Sequence, residues 1–492
     1  MSFRVLLLFL FLGLSTASSL AVCVTLSELL PGQVSFPNST SYDDAVASYF
    51  FVQERLTPNC MVRPDSARDV AVVIKQVETT DGAILSVRGG GHSANVGFAN
   101  SNTGITLDLR SLNHISVNGD GNVTSVGGGA LWSEVYEYLD ERGLAVLGGR
   151  VGTVGVGGLL TGGGLSVFSP RLGFASNNVA NVEVVLASGE IVNANATSNA
   201  DLFAALKAGQ NNLGVVTRFD LLSFKQGLYW GGGIAYAESA VSAQLAAFAE
   251  FKTPANFDPD AEIEQSFLYY KAKELRMSSN NMFYSKPVVN ASSLRRFAQI
   301  QPQISNTMRI SNSSDFSKEM SEAQPANLLG VWATTTFKSS LTGLEDVYQL
   351  WNSSVTELSS VDGLVSSLTF QAVPPVTGED GSIDTFGLAP GTHPEKDLVI
   401  CLIANWWSDT TDSARMLNGT KEFIAAVENT TEAQGTKVPF TYLNYAASWQ
   451  DPIQSIGEEQ VKFLKKVAGK YDPNGVFQTK VPGGFKISRV SS

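Results

Sequence analysis

Histidine is nearly missing from this 492-residue chain: His92, His114 and His393 are all it has. Cysteine is as scarce, at three residues. Neither type falls at metal-ligand spacing, so the sequence offers no Cys/His metal centre and no metal is expected. There is no Lys/Arg run, and 34 basic against 46 acidic side chains leave a net charge of −12. That balance argues against nucleic-acid and anionic-membrane surfaces, because both reward basic patches. P-loop and G-x-S-x-G patterns are absent too. Past the first twenty residues no apolar run is long enough to span a bilayer.

Glycine, by contrast, is abundant, with 45 residues beside an apolar fraction of 43%. This is the composition of a soluble globular protein rich in tight turns, and the length implies two domains of unequal size. Arg4, the apolar run Val5 to Leu14 and the small residues Ser15 to Ser19 read as a cleaved secretory signal over residues 1–19, since the run is too short for an anchor. Secretion, with no membrane attachment after cleavage, is the expectation. It gives meaning to eight N-x-Ser/Thr sequons, each expected on an exposed loop: Asn38, Asn122, Asn195, Asn290, Asn312, Asn352, Asn418 and Asn429. An oxidising compartment also permits Cys23 and Cys60 to pair, while Cys401, inside LVICLIA, reads as a buried thiol.

Residues 20–55 read as a polar, turn-rich lead-in. Then SARDVAVVIKQV places Val70, Val73, Ile74 and Val77 at helical spacing behind a capping serine. The strand ILSVR runs into three glycines, a histidine and a serine, RGGGHS at 88–93. Such a turn brings backbone amides against a ligand with no side chain between. Gly104 to Leu109 alternates as a half-buried strand with Thr106 and Asp108 outward. A second cluster, SVGGGALW, precedes a helix with Trp132, Val135, Tyr136 and Leu139 on one face. The densest cluster spans Gly148 to Ser166, and its interleaved valines and leucines mark close backbone approach, not a flexible linker. A hairpin turned at Ser188-Gly189, the short helix DLFAALKA and the strand LGVVTRFDLLSF close this part. Beyond about Lys225 the clusters stop, and strand-like runs (QSFLYYKA, GVWATTTF, SLTFQAV, LVICLIANWW) alternate with helical ones. The helix ending at Tyr471 is followed by DPNG and an extended tail.

Gly89, Gly91 and Ala94 satisfy the dinucleotide pattern G-x-G-x-x-A, with Asp108 nineteen residues on. That pattern requires a helix at its third small residue. NVGFANSNTG follows instead, so the Rossmann assignment fails.

RGGGHS, GRVGTVGVGGLLTGGG at 149–164, RLGFASNNV, YLNYAASW and YDPNGVF together resemble the berberine-bridge-enzyme-like FAD-linked oxidoreductases of the vanillyl-alcohol-oxidase superfamily, nearest to the fungal members of secondary metabolism. The motifs cover about 55–225 and 437–486. The resemblance implies an α+β architecture: a two-part, PCMH-type FAD-binding domain over 56–226, a substrate-binding domain with an antiparallel sheet over 227–436, and a C-terminal segment, 437–486, returning to the flavin domain. It implies FAD linked covalently through His92 alone, because Val151 stands where some members carry a second, cysteine link. It places Gly89, Gly90, Gly91 and Ser93 at the pyrophosphate and counts Arg88 among the cofactor-binding residues. Gly152, Thr153, Gly155, Gly157, Gly158, Gly162, Gly163 and Gly164 fall along the isoalloxazine and ribityl chain, with Val154 at an oxygen-gating position. Gly214 and Val216 fall near the adenine. The carboxylate base of several members aligns with an apolar position, about Val399. Tyr445 is then the candidate base, with Tyr442 and Asn444 beside it, although a phenol is a weak base near neutral pH. The expected activity is that of a monomeric oxidase passing electrons from a small metabolite to O2. Carbohydrate oxidation, or flavin binding without turnover, are the alternatives.

Overall fold

A computed structural model describes residues 18–375, 386 and 397–490. The signal predicted over 1–19 lies almost wholly outside these residues, as does His393. The lead-in is more helical than its polarity suggested. Residues 18–29 form a helix (α1) that buries Val22, Cys23 and Leu26, and Thr40–Ala47 form α2. Cys23 and Cys60 form a disulfide that ties α1 to the next sheet.

That sheet consists of Val34–Ser35 (β1), Cys60–Val62 (β2), Leu85–Arg88 (β3) and Ile105–Asp108 (β4) in the order β1-β2-β4-β3, with β2 and β3 parallel to β4. The connection from β2 to β3 is α3 (Ala67–Thr79). Ser66 Oγ caps it by accepting the Asp69 amide at 3.3 Å, and the four predicted aliphatic residues face inward. Parallel strands are usually covered on both faces. For that reason β4 is not half-buried: Thr106 and Asp108 are 0% and 1% exposed.

A second, antiparallel sheet takes Ile115–Val117 (β5) and Val123–Gly127 (β6). After the short Leu144–Ala145 (β7) come Val179–Val185 (β8), Ile191–Asn195 (β9) and Val215–Leu222 (β10), giving the order β5-β6-β10-β8-β9. Phe224–Lys225 (β11) pairs with β7. Trp132–Asp140 (α4) packs Trp132, Val135, Tyr136 and Leu139 into the core of this sheet. Val156–Leu160 (α5), Ser169–Leu172 (α6) and Ala200–Leu206 (α7) complete the region, so the densest glycine cluster does hold one short helix.

The rest of the chain builds a nine-stranded antiparallel sheet. Its strands are Tyr229–Ala237 (β12), Ala261–Tyr270 (β13), Leu275–Tyr284 (β14), Gln303–Asn306 (β15), Arg309–Ser311 (β16), Leu329–Lys338 (β17), Val365–Ala372 (β18), Leu398–Trp407 (β19) and Lys437–Val438 (β20). The order is β15-β12-β14-β13-β18-β19-β17-β20, with β16 also on β12. Val241–Phe251 (α8), Leu341–Leu358 (α11) and Ser413–Ala433 (α12) cover one face. Arg295–Gln299 (α9) packs beside α8, and Ser313–Glu322 (α10) packs on α4. Side chains alternate across a strand. In β19, Val399, Cys401 and Ile403 therefore face the helices, and Leu402, Ala404 and Trp406 face the other way. The second set looks into the gap between this sheet and the glycine-rich half.

Glu458–Tyr471 (α13) returns the chain to that half. The expected extended tail contains one further helical turn, Val476–Thr479 (α14). Asp472 creates it: the two carboxylate oxygens accept the Val476 and Phe477 amides, each at 2.8 Å. Among the described residues no helix is long and apolar enough to cross a membrane.

Candidate active site

A cavity of about 560 Å³ fills the gap. Gln210, Asn211, Gly484 and Phe485, the turn after β3 and the face of the large sheet line it. The turn is an amide nest. Among the described residues, the N–H groups of Gly90 through Ala94 donate to no protein acceptor. Gly91 (φ +74°) has a conformation that favours glycine, and a Cβ there would meet the Arg88 guanidinium at 2.8 Å.

Arg88, expected among the cofactor-binding residues, lies beneath the nest and does not line the cavity. It is fully buried. Its Nη1 donates to the Ala45 carbonyl at 2.7 Å, its Nη2 to Ser48 Oγ at 2.9 Å, and it stacks on Tyr49. Asp108 approaches Arg110 at 2.7 Å, Arg63 at 3.3 Å and Arg88 at 3.8 Å. Burial alone would raise this carboxyl, but the bond to Arg110 and the three positive charges hold it below the usual range. Three guanidiniums against one carboxylate leave the floor of the nest positive.

His92 lies at the mouth. Its ring stacks on Phe50 at 4.0 Å, with Phe51 and Trp332 further out, and Nε2 is 3.4 Å from Thr153 Oγ1. Burial pushes its pKa down to about 4, so the imidazole is neutral at physiological pH. Gly89, Gly90, Gly91, Ser93, Val154, Gly155 and Gly158 line the cavity with it. Gly90 and Gly155 meet backbone to backbone: a Cβ on Gly90 would lie 2.5 Å from the Gly155 nitrogen.

Other predicted residues stand behind this surface. Gly152 donates its amide to Ser321 Oγ at 2.9 Å, and Gly157 packs on the Gly128 carbonyl. Gly162, Gly163 and Gly164 pack against Asn444, Tyr442 and Leu159. Gly214 and Val216 sit in or beside β10, facing β8 and Gly128. Thr153 touches the site only through His92. These positions shape the loops and do not line the cavity.

At the sheet end, the C-terminal segment brings in Tyr442, Asn444 and Tyr445. The Tyr442 hydroxyl accepts the Gly164 amide and the Asn444 side chain, each at 3.1 Å, and burial raises its pKa strongly. Tyr442 thereby braces the glycine turn against the C-terminal segment. Tyr445 accepts from Arg150 Nη2 at 2.9 Å and donates to Gln371 Oε1 at 3.3 Å. Burial raises its pKa and the opposing pull of Arg150 does not reverse the shift, so the phenol keeps its proton at neutral pH.

Sequence reasoning missed the group that organises this end. Arg150 pairs with Glu262 at 2.8 Å and Glu264 at 3.0 Å and bonds to Gln371 at 2.6 Å. Burial would lower its pKa, but Glu264, Tyr445 and Glu262 together raise it. The available signals were a lone charge inside a glycine cluster and two acids two positions apart on a strand. Val399, the aligned base position, points away into the helix-side core. The β19 residues that do line the cavity, Leu402, Ala404 and Trp406, are apolar too.

Free amides over a positive floor fit a diphosphate, and a neutral histidine in an aromatic pocket fits the ring system of a flavin. Comparison with known proteins agrees. Residues 58–195 match the model of an FAD binding domain. The chain is 34% identical to the FAD-dependent monooxygenase drtC of Aspergillus calidoustus over 95% of its length and 90% of that protein's. It is 35% identical to the FAD-dependent monooxygenase tpcD of Cochliobolus heterostrophus, covering 90% and 88% of the two chains. The fold is similar to Physcomitrella patens BBE-like 1 (TM-score 0.77, 18% identity, 95% and 99% covered). It is also similar to 6-hydroxy-D-nicotine oxidase of Arthrobacter nicotinovorans (TM-score 0.75, 21% identity, 91% and 96% covered). With its amide nest, its histidine and these relatives, the chain belongs to the family of FAD-dependent oxidoreductases that includes these fungal monooxygenases, and it has the fold of BBE-like 1.

Proposed function

We propose that this protein is a secreted oxidase that holds FAD covalently through His92 and removes two electrons from an alcohol or activated C–H of a small metabolite, with O2 as the final acceptor. The observation that carries the proposal is the position of His92, stacked on Phe50 at the mouth of the amide nest. A neutral imidazole has a free lone pair with which to attack the flavin methyl group. Bound FAD supplies the hydride acceptor and the reaction with O2. The amides of Gly90 through Ala94 bind the diphosphate, and Gly158 leaves room opposite them. Arg150 and Gln371 fix the Tyr445 hydroxyl beside the cavity. Val151 lines the cavity where a second cysteine link would form, so the attachment is single.

The test begins with acid precipitation of purified protein. Yellow colour should stay with the pellet, and His92→Ala should release it. Turnover of a bleaching substrate should then yield one H2O2 per product. Label from 18O2 in the product would refute the oxidase in favour of a monooxygenase. Secretion carries its own check, since glycans should occupy the exposed sequons Asn38, Asn122, Asn290, Asn418 and Asn429. The loop expectation needs adjustment here: Asn352, Asn418 and Asn429 lie on helices. Asn195 and Asn312 already use their side chains locally, Asn312 as a helix cap.

A further inference from the structure

The wall of the cavity opposite the glycine turns is a two-dimensional pattern set by strand register. In one row, Asn281 of β14 and Gln371 of β18 lie directly beside Glu264 of β13. In the next, Ser279 and Thr369 flank Ser266. Toward β19 and β17 the same face turns apolar, through Leu402, Ala404 and Trp332. The wall is therefore polar on one side and aromatic on the other. Glu264 is the single carboxylate among the described residues that line the cavity, and Arg150 the single cation beside a neutral His92.

From this arrangement we infer that Glu264 is the proton acceptor for a substrate hydroxyl, held in place by Arg150, and that it restricts the enzyme to uncharged hydroxyl compounds. The inference rests on the oxidase proposal above. Arg150 Nη2 lies 3.0 Å from Glu264 Oε1 and 2.9 Å from the Tyr445 oxygen, so one guanidinium nitrogen gathers both groups at the same point of the wall. Tyr445 already sends its proton toward Gln371 and does not serve as the acceptor. In the step, the substrate O–H bond breaks and its proton passes to the Glu264 carboxylate. The carbinol C–H bond breaks with both its electrons, hydride passes to the flavin, and C–O becomes C=O. The substrate loses two electrons and the flavin gains them. Glu264 returns its proton to solvent as product leaves.

Selection by charge does not depend on turnover. Arg150 is already matched by Glu262 and Glu264, so a substrate carboxylate would meet Glu264 with no free cation among the described lining residues. An aromatic alcohol fits the remaining pattern, its ring toward Trp332 and its hydroxyl toward Glu264.

The probes are 4-hydroxybenzyl alcohol and 4-carboxybenzyl alcohol, with binding read from tryptophan fluorescence under anaerobic conditions. Wild-type protein should prefer the uncharged probe by about tenfold or more, and Glu264→Gln should narrow the preference to about threefold or less. Equal affinity for both probes in wild type overturns the inference. In anaerobic stopped flow, with the uncharged alcohol that bleaches wild type fastest, Glu264→Gln should slow bleaching by about 100-fold or more. Glu264→Asp should recover part of the rate, and Tyr445→Phe should lose less than about tenfold. Bleaching by Glu264→Gln within about threefold of wild type, at matched flavin absorbance, refutes the assignment. If no alcohol bleaches wild type, the oxidase proposal itself fails. Should Glu264→Gln not fold, a Glu264→Asp variant with an undiminished rate overturns the inference.

Discussion

Two glycines sixty-eight positions apart separate folding from cofactor binding. A Cβ on Gly158 meets nothing within 4 Å, although the residue lines the cavity inside α5. Gly158→Ala should therefore fold normally and gain up to about 1 kcal/mol from helix propensity. The added methyl group, however, projects into space opposite the nest that the flavin requires. A Cβ on Gly90 would lie 2.5 Å from the Gly155 nitrogen and 2.7 Å from its Cα, and both are backbone atoms that no rotamer change can move aside. Gly90→Ala must push the two loops apart, at a cost of about 1–3 kcal/mol. The assay pairs urea denaturation with the ratio of flavin to protein absorbance. Gly158→Ala should keep or slightly raise its midpoint and lose most of its flavin, and Gly90→Ala should lose both. A fully yellow Gly158→Ala protein would refute the placement of cofactor against α5. An unchanged midpoint for Gly90→Ala would refute the backbone contact.

Asp108→Asn leaves Arg63, Arg88 and Arg110 without their buried counter-charge and should cost about 3–5 kcal/mol in chemical denaturation. Replacing Cys23 and Cys60 with serine reopens a loop of 37 residues and should lower stability by about 2–4 kcal/mol. Glu54, buried against the Gly97 and Ala99 amides, has its pKa pushed by burial from 4.5 up to about 7. The folded state then binds its proton more tightly than the unfolded chain. Stability should fall as pH rises from 4.5 to 7, by roughly 3 kcal/mol at most, and level off above. Urea midpoints across that range should lose the slope in Glu54→Gln.

Local pattern made much of this protein legible. Helix α3 follows from Ser66 and four aliphatic residues at helical spacing, and the hairpin of β8 and β9 from Ser188-Gly189, where Gly189 has φ +78°. Strands β12 and β14 were not foreseen. YWGGGIAYA and LRMSSNNMFY carry glycine and asparagine where strands usually carry branched apolar residues, because their outer residues face the cavity or a neighbouring backbone. The extended tail was misjudged at α14, since a cap supplied by Asp472 is a side-chain geometry that composition does not reveal.

By itself the sequence determined the glycine turns, His92 among them, and hence where amides lie free for an anionic cofactor. Those features depend on residues adjacent in the chain. Only the tertiary structure decided which residues meet the substrate. Arg150 finds Glu262 112 residues away, Gln371 221 and Tyr445 295, contacts that no local spacing encodes. The alternation of each strand then decided the rest. It turned Val399 into the helix-side core and Glu264 into the cavity, so the carboxylate absent from one strand is supplied by another.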